Sequence, residues 1–187
     1  MTARAGKRPV QSLTASRSTA DSTGLRGVDE GRRPRSGLSL RGRALRFLAR
    51  RDYSRAELRS KLLAHATDEA ALDTLLDDLE ATRLLSDRRY AEVMAQSKGS
   101  RFGVASVART LSRQGVASEL AAEALAPLRA TERERALEIC RRRFGEPPAD
   151  LRERARQHRF LLGRGFDPGT VSWVLKQFGR GFSGVSD

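Results

Sequence analysis

The chain between residues 40 and 178 shows apolar positions at helical spacing rather than the alternation typical of a β-strand. Leucine, alanine, arginine and glutamate fill this region, and all four favour helices. Candidate helix starts are two capping boxes, one N-cap serine and one N-cap aspartate before proline: Ser54 with Glu57, Thr131 with Glu134, Ser86, and Asp167 before Pro168. The pattern predicts an all-α protein with about nine short helices.

The apolar pattern repeats with a period of 49–50 residues along this helical region. Each copy contains a leucine, a second apolar residue fourteen positions later and a third one three positions after that. The three sets are Leu62, Leu76 and Leu79; Leu111, Leu125 and Leu128; and Leu161, Leu175 and Phe178. Chance periodicity in a helical protein rich in leucine is the alternative, but three copies agree at three positions. We therefore predict a tandem array of three three-helix repeats.

We place the three repeats at residues 39–84, 85–130 and 131–180. A unit of about 47 residues is near the lower size limit for independent folding, so neighbouring repeats should pack on one another. Residues 1–38 carry eight basic and three acidic residues and few apolar ones, which predicts a disordered basic tail. Residues 181–187 are predicted to form a second disordered tail. An organelle transit peptide is the alternative for residues 1–38, but the missing amphipathic stripe argues against it.

The charge balance points to an acidic partner. The sequence contains 36 Lys and Arg against 23 Asp and Glu, a formal net charge of +13, which is typical of proteins that bind nucleic acid or its complexes. No run of 18 apolar residues that could cross a membrane is present. The single Cys140 excludes an internal disulfide framework and a multi-cysteine zinc site. We expect a cytoplasmic monomer.

Groups with catalytic potential are scarce, and the candidates are Asp77, Asp78, Glu80, Cys140, His65 and His158. The three carboxylates lie on one acidic helix without a histidine at metal spacing, so we interpret them as a solvated face. Cys140 is interpreted as a half-buried core residue, and His158 as a surface or packing residue. No glycine-rich phosphate-binding loop is present in the sequence. We predict that the protein is not an enzyme and holds neither metal nor cofactor.

Arginines fall in stripes along the predicted helices. The stripes are Arg43, Arg46 and Arg50; Arg109 and Arg113; and Arg152, Arg156 and Arg159. Helical spacing puts each stripe on one face, the first one opposite the Leu45, Leu48 and Ala49 side. The planar guanidinium suits contact with phosphate or carboxylate. The alternative is a solvated charged face with partners four residues away, such as Glu134 or Glu153.

The third helix of each predicted repeat differs from the basic stripes. Residues 68–80 contain six acidic and no basic residues, and residues 118–128 contain two acidic and no basic residues. Phosphates would repel such helices, so reading of a DNA groove by the last helix of a helix-turn-helix unit is disfavoured. We expect these acidic helices to face solvent or basic patches on a protein partner.

Three groups of short motifs follow one another along the helical region. The central group is Ser86-Asp87-Arg88-Arg89-Tyr90-Ala91, Lys98, Arg101-Phe102-Gly103 and Leu111-Ser112-Arg113-Gln114-Gly115-Val116. The first group is residues 44–51, Tyr53-Ser54-Arg55-Ala56-Glu57-Leu58 and Lys61-Leu62, and the last is Leu162-Gly163-Arg164-Gly165-Phe166, Val171 and Val174-Leu175. The central group resembles the middle repeat of the bacterial RecX family of recombination regulators. The first and last groups resemble the first and third repeats of that family. The resemblance covers roughly residues 40–178 and leaves out the N-terminal tail.

The resemblance implies an elongated, curved all-helical array of three three-helix repeats. It also implies a partner, the RecA recombinase filament on single-stranded DNA. The family inhibits extension of that filament and its ATPase, strand-exchange and coprotease activities, and it regulates DNA repair within the SOS response. A protein of this kind is not an enzyme and needs no small-molecule substrate.

Candidate partner-binding or DNA-binding residues form a predicted basic face. They are Arg43, Arg46, Arg50, Arg88, Arg89, Lys98, Arg101, Arg109, Arg113, Arg152, Arg156 and Arg159. Tyr90, Phe102, Leu111 and Trp173 are predicted to be packing residues. The alternative function is sequence-independent binding of nucleic acid without a recombinase partner, with an affinity that falls steeply as salt rises.

Overall fold

A computed structural model describes residues 37–180, and this part of the chain contains nine α-helices and no strand. The helices are α1 Leu40–Leu48, α2 Arg55–Leu63, α3 Glu69–Ala81, α4 Asp87–Gly99, α5 Val104–Arg113, α6 Ser118–Ala130, α7 Glu132–Phe144, α8 Leu151–Gly163 and α9 Pro168–Arg180. The two predicted disordered tails lie outside the described residues, except for Gly37 and Leu38.

Most of the predicted helix starts are confirmed by side-chain caps. The Ser54 hydroxyl accepts a hydrogen bond from the Glu57 backbone N–H at 3.1 Å, and this bond satisfies a free donor at the start of α2. Ser86 caps α4 in the same way through the N–H of Arg89. Asp167 accepts from the backbone of α9 directly after Pro168. These local signals position three of the nine helices.

The predicted capping box at Thr131 and Glu134 is wrong. The Thr131 hydroxyl makes no cap bond to α7 and instead donates to the carbonyl of Pro127 at 3.2 Å. Thr131 is at once the last flanking residue of α6 and the first of α7, with φ −111° and ψ 15°. Two helices that meet at one residue leave no extended backbone from which a side chain could fold over the first turn.

Each group of three consecutive helices encloses its own core, which confirms the predicted array of three-helix repeats. Repeat 1 comprises α1–α3, repeat 2 comprises α4–α6 and repeat 3 comprises α7–α9. The leucines at the matching position, Leu62, Leu111 and Leu161, are all fully buried. Burial of apolar surface in three separate clusters supplies the main stabilisation of each repeat.

The first helix of one repeat caps the second helix of the preceding repeat. Asp87, the first residue of α4, accepts a hydrogen bond from the Arg55 backbone N–H at 2.7 Å. Glu132, the first residue of α7, accepts one from the Val104 N–H at 2.8 Å. Arg55 and Val104 are the first residues of α2 and α5, so the same contact recurs at both interfaces between repeats.

The second helices of neighbouring repeats also meet end to end. Ser54, before α2, donates through its hydroxyl to the carbonyl of Gln114 after α5, at 2.7 Å. Gly103, before α5, donates through its N–H to the carbonyl of Arg164 after α8, at 3.0 Å. A helix N-terminus therefore lies against a helix C-terminus at each interface, an arrangement that the helix dipoles favour.

Glycine makes this close approach possible. Gly115 and Gly165 have φ values of +73° and +80°, a region that disfavours side chains. A Cβ atom on Gly115 would lie 2.6 Å from the Cβ of Ala56, and one on Gly165 would lie 2.6 Å from the Cβ of Ser106. Both glycines therefore form the turn after a second helix and leave room for the preceding repeat.

Candidate functional site

The acidic residues of α3 are compensated within repeat 1. Arg55 and Arg59 of α2 bind four carboxylates of α3: Asp77 at 2.7 Å, Glu80 at 2.6 Å, and Glu69 and Asp73 at 2.8 Å. A hydrogen bond from Arg59 lowers the pKa of the Asp73 carboxyl. Glu69 and Asp77 are largely exposed, as expected of a helix that faces solvent, but α2 of the same repeat supplies counter-charges that the sequence did not indicate.

Two arginines of the predicted basic face lie in ion pairs. Arg89 binds Asp52 of repeat 1 at 2.6 Å and donates to the carbonyls of Arg83 and Leu84. It therefore acts as a brace between repeats 1 and 2. Arg88 binds Glu123 at 2.7 Å with both side chains more than half exposed, so this pair adds little stability.

Arg135 is a further brace that sequence reasoning missed. Its guanidinium is partly buried between repeats 2 and 3 and donates to the carbonyls of Gly99, Phe102 and Leu128. Burial lowers the pKa of Arg135. Carbonyls that lie 7 to 36 residues away in the chain leave no local signal, so this role could not be read from spacing.

The stripe on α1 lines a cavity. Arg43, Arg46 and Arg50 surround a space of about 220 Å³ together with Leu38, Phe47 and His65. None of its lining residues in the described part of the chain is a carboxylate. Arg43 donates through Nε to the carbonyl of Leu38, and Arg46 and Arg50 are exposed. We name this space the α1 cavity.

The packed side of α1 includes only part of the side opposite its arginines. Ala44 is fully buried, and Phe47 and Leu48 pack on the core of repeat 1. Leu45 and Ala49, which were expected on the side opposite the arginines, are exposed. One leucine of α1, Leu45, therefore remains in solvent.

The remaining basic residues of the predicted face are mostly exposed. Arg101, Arg109, Arg113, Arg152, Arg156 and Arg159 are exposed, and Lys98 is half-buried. Among residues 37–180, none of these seven forms an ion pair with a carboxylate. Glu153, one of the partners considered for them, instead accepts a hydrogen bond from the backbone of Ala149. Their charge therefore remains uncompensated by the described part of the protein.

The residues predicted to pack do so. Tyr90 and Leu111 are buried in the core of repeat 2, and Phe102 lies against the same core. Trp173 packs against the core of repeat 3, and the guanidinium of Arg133 lies 5.7 Å from its ring centroid. These three aromatic residues are therefore structural, as predicted.

Cys140 belongs to the core of repeat 3 and is fully buried. Its thiol lies 3.8 Å from the Oε1 atom of Gln157. Burial disfavours the charged thiolate and raises the pKa of Cys140 to about 11. Since the thiolate is the nucleophilic form, the thiol is positioned for packing rather than for chemistry.

We expect Cys140 to react with a disulfide reagent such as dithionitrobenzoate about a hundredfold more slowly in the folded protein than in the unfolded chain. The absorbance of the released thiolate at neutral pH measures both rates, and the same protein in guanidinium chloride is the control. Equal rates in the two states would contradict a buried, protonated thiol.

Two kinds of site are not formed by the described residues. Among the nine described helices, none combines the length and the apolar character that a bilayer crossing requires. Nor do residues 37–180 bring three His, Cys, Asp or Glu side chains together in an arrangement that could hold a metal ion. The distinctive chemistry of the described region is therefore its arginine side chains.

Comparisons with known proteins identify relatives along most of the chain. The sequence model of the first three-helix domain of RecX matches residues 41–79, and that of the third matches residues 131–175. The regulatory protein RecX of Leptothrix cholodnii is 50% identical over 139 residues, which cover 74% of this chain and 88% of that protein. RecX of Ralstonia pickettii is 44% identical over 142 residues, covering 76% and 89%.

Solved structures show the same fold. The crystal structure of RecX from Lactobacillus salivarius superposes with a TM-score of 0.66 over 74% of this chain and 94% of that chain. A second crystal structure, of a regulatory protein RecX, superposes with a TM-score of 0.64 over 73% of this chain and 71% of the other. Sequence identity is 19% in both cases, so these structures support the architecture alone.

Proposed function

The chain belongs to the RecX family of regulatory proteins, and from this premise we propose that it regulates the RecA recombinase by binding the RecA filament on single-stranded DNA. The protein acts without chemistry of its own. By binding along the filament it inhibits filament extension, and with it the ATPase, strand-exchange and coprotease activities that need an extended filament.

The uncompensated arginines are the observation that supports this function best. Such arginines of the predicted basic face occur in every repeat, and its exposed members without an ion pair among the described residues are Arg46, Arg50, Arg101, Arg109, Arg113, Arg152, Arg156 and Arg159. Arg55 and Arg59, by contrast, are neutralised by α3. Guanidinium groups without counter-ions favour a polyanionic partner, and a protein filament wrapped around DNA is one.

The interfaces between repeats make the arrangement suitable for a filament. Each interface contains a carboxylate that caps a second helix and a hydrogen bond that joins two second helices end to end. Repeats joined in this way hold their arginines at defined spacings, which lowers the ordering cost of binding several sites at once. A protein that binds one state of the filament more tightly than another shifts the filament population toward the preferred state. The size of the shift is set by the difference between its affinities for the two states.

The hydrolysis of ATP by RecA on single-stranded DNA provides the direct test. We expect substoichiometric amounts of the full chain to slow this hydrolysis. A rate that stays unchanged at protein concentrations equal to that of RecA would reject the proposed function.

Charge reversal at Arg109 and Arg113 should impair inhibition. Both side chains are exposed on α5 and make no side-chain contact that stabilises the fold among the described residues, so Arg109→Glu with Arg113→Glu removes charge without disturbing the core. We expect the protein concentration that halves RecA ATP hydrolysis to rise about tenfold or more. Unchanged helical circular dichroism confirms that the variant is folded.

A matched control is the double variant Arg41→Glu with Arg154→Glu. Both of its arginines are exposed on helices and lie outside the predicted basic face. The same change in net charge should then have less than about a threefold effect. If the Arg109 and Arg113 variant still inhibited RecA, α5 would not be part of the contact surface. Equal losses of inhibition in both variants would indicate that inhibition depends on net charge alone.

Binding of nucleic acid without a recombinase remains the alternative function, and salt separates the two. A protein held only by six to ten phosphate contacts should lose about 10³–10⁵ in affinity between about 50 and 200 mM salt. That loss on DNA alone, together with an unaffected RecA ATPase, would favour the alternative. Salt-resistant association with the RecA filament would favour the proposed function.

A further inference from the structure

The interface between repeats 2 and 3 contains a cavity that concentrates positive charge. The cavity has a volume of about 240 Å³ and is lined by Arg101, Arg142, Arg143 and Arg164 together with Phe160. Among residues 37–180, no carboxylate lines it. The nearest acidic partner is Glu138, whose carboxylate lies 3.8 Å from Arg142 with both side chains largely exposed. We name this space the interface cavity.

One of the four guanidinium groups is held in place by the interface itself. Arg164 donates through Nη1 to the carbonyl of Arg101 at 3.1 Å, and its guanidinium lies 4.5 Å from the centroid of the Phe160 ring. Its Nε atom is buried and has no hydrogen-bond partner among the described residues. The protein therefore fixes this cation but leaves its hydrogen-bonding capacity partly unused.

Arg142 and Arg143 provide the accessible side of the interface cavity. Both are exposed in the last turn of α7, where cations are favoured near the helix C-terminus. Neither donates a hydrogen bond to the backbone of repeat 2, in contrast to Arg135 and Arg164. Their side chains can thus move toward a ligand without opening the interface between the repeats.

The interface cavity has a counterpart at the same place in repeat 1. His65 and Arg164 each follow the buried leucine of the second helix by three residues. Phe47 and Arg50 line the α1 cavity, and Ile139 and Arg142 line the interface cavity; in each pair the two residues lie three positions apart. The corresponding residues of repeat 2 are Met94, Ser97 and Gln114, which carry no charge. Basic cavities therefore recur in the first and third repeats.

We propose that the interface cavity binds a phosphate group of single-stranded nucleic acid. Four guanidinium groups face a single nearby carboxylate, that of the largely exposed Glu138, so their excess positive charge favours an anion, and their planar forks match phosphate oxygens. The cavity is smaller than the 300–1,000 Å³ of sites for whole drug-sized ligands, so it fits a backbone phosphate rather than a complete nucleotide. Phe160, with Arg164 stacked on it, adds a flat surface beside which an unstacked base can lie.

The proposal deepens the proposed function and rests on it only for the choice of nucleic acid as ligand. Contact with a backbone phosphate requires no recombinase. The experiment therefore uses the full chain and a fluorescently labelled thymidine oligonucleotide, with binding followed by fluorescence anisotropy across a series of salt concentrations.

The test variant is Arg142→Ala with Arg143→Ala, because neither side chain braces the interface. We expect its affinity for the oligonucleotide to fall about tenfold or more and the slope of log affinity against log salt to lose about 0.7, the value for one phosphate contact on a single strand. The matched control is Arg141→Ala with Arg154→Ala, which removes the same charge. Arg141 lies in the same turn of α7 but does not line the cavity, and the control should lose less than about threefold.

Three outcomes would overturn the proposal. Equal losses in test and control variants would mean that net charge alone matters, and an unchanged affinity of the test variant would mean that the cavity contacts no DNA. Direct binding of millimolar pyrophosphate that depends on Arg142 and Arg143, together with equal oligonucleotide affinities of the test variant and the wild type, would assign the cavity to a free phosphate instead. The test variant could lose DNA binding while the wild-type protein leaves the RecA ATPase unaffected. That result would support the proposed phosphate site and reject the proposed function.

Discussion

Replacing Leu111 with alanine is expected to lower the free energy of unfolding by about 2–5 kcal/mol. Leu111 lies on α5 and is fully buried in the core of repeat 2. Truncation removes apolar contacts and leaves a cavity that a close-packed core cannot fill. Because repeat 2 contacts both other repeats, the loss should affect the whole array, as coupled repeats predict.

Urea unfolding followed by helical circular dichroism measures this loss. The matched control is Leu63→Ala, since Leu63 is 40% exposed at the end of α2. That variant should stay within about 0.5 kcal/mol of the wild type. If both variants unfolded at the same urea concentration as the wild type, the position of Leu111 in the core would be wrong.

Replacing Gly103 with alanine should weaken the interface between repeats 2 and 3. A Cβ atom on Gly103 would lie 2.2 Å from the carbonyl oxygen of Gly165, well inside contact distance. The obstacle is backbone rather than a flexible side chain, and Gly165 is held in a turn with φ +80°. The bond from Gly103 N–H to the Arg164 carbonyl must therefore lengthen or break. We expect a loss of about 1–3 kcal/mol or more in the free energy of unfolding.

Gly163 provides the control for this change. It is the last residue of α8, and a Cβ atom there would meet nothing within 4 Å. Gly163→Ala should leave stability unchanged or slightly higher, because alanine favours the helix. Thermal unfolding of both variants compares the two sites. A Gly103→Ala protein as stable as the wild type would contradict the close contact of the two backbones.

The repeat structure was predictable from the sequence because it depends on short-range geometry. Leucines at matching positions, such as Leu62, Leu111 and Leu161, mark the buried face of each second helix, and all three are fully buried. The caps at Ser54 and Ser86 bond to residues three positions away, within reach of simple spacing rules. The cap predicted at Thr131 was wrong because the capping rule assumes an extended residue before the helix, whereas α6 continues to Ala130.

The candidate site was predictable only in part. Spacing correctly indicated that Arg109 and Arg113 share an exposed face of α5. It could not indicate that Arg89 binds Asp52, which lies 37 positions away, and is thereby removed from the surface available to a partner. Nor could spacing bring Arg101 and Arg164 together, since 63 positions separate them. Charge alone does not reveal which cations find internal counter-ions.

The sequence by itself determined the helices, their three-fold repetition, the buried leucines and the excess of basic charge. These properties depend on residues within one or two helical turns, where backbone geometry fixes which side chains share a face. Only the tertiary structure decided which arginines are neutralised, how successive repeats cap one another and where guanidinium groups gather around a cavity. Those properties depend on neighbours tens of residues apart, and Coulomb interactions and hydrogen bonds act through space rather than along the chain.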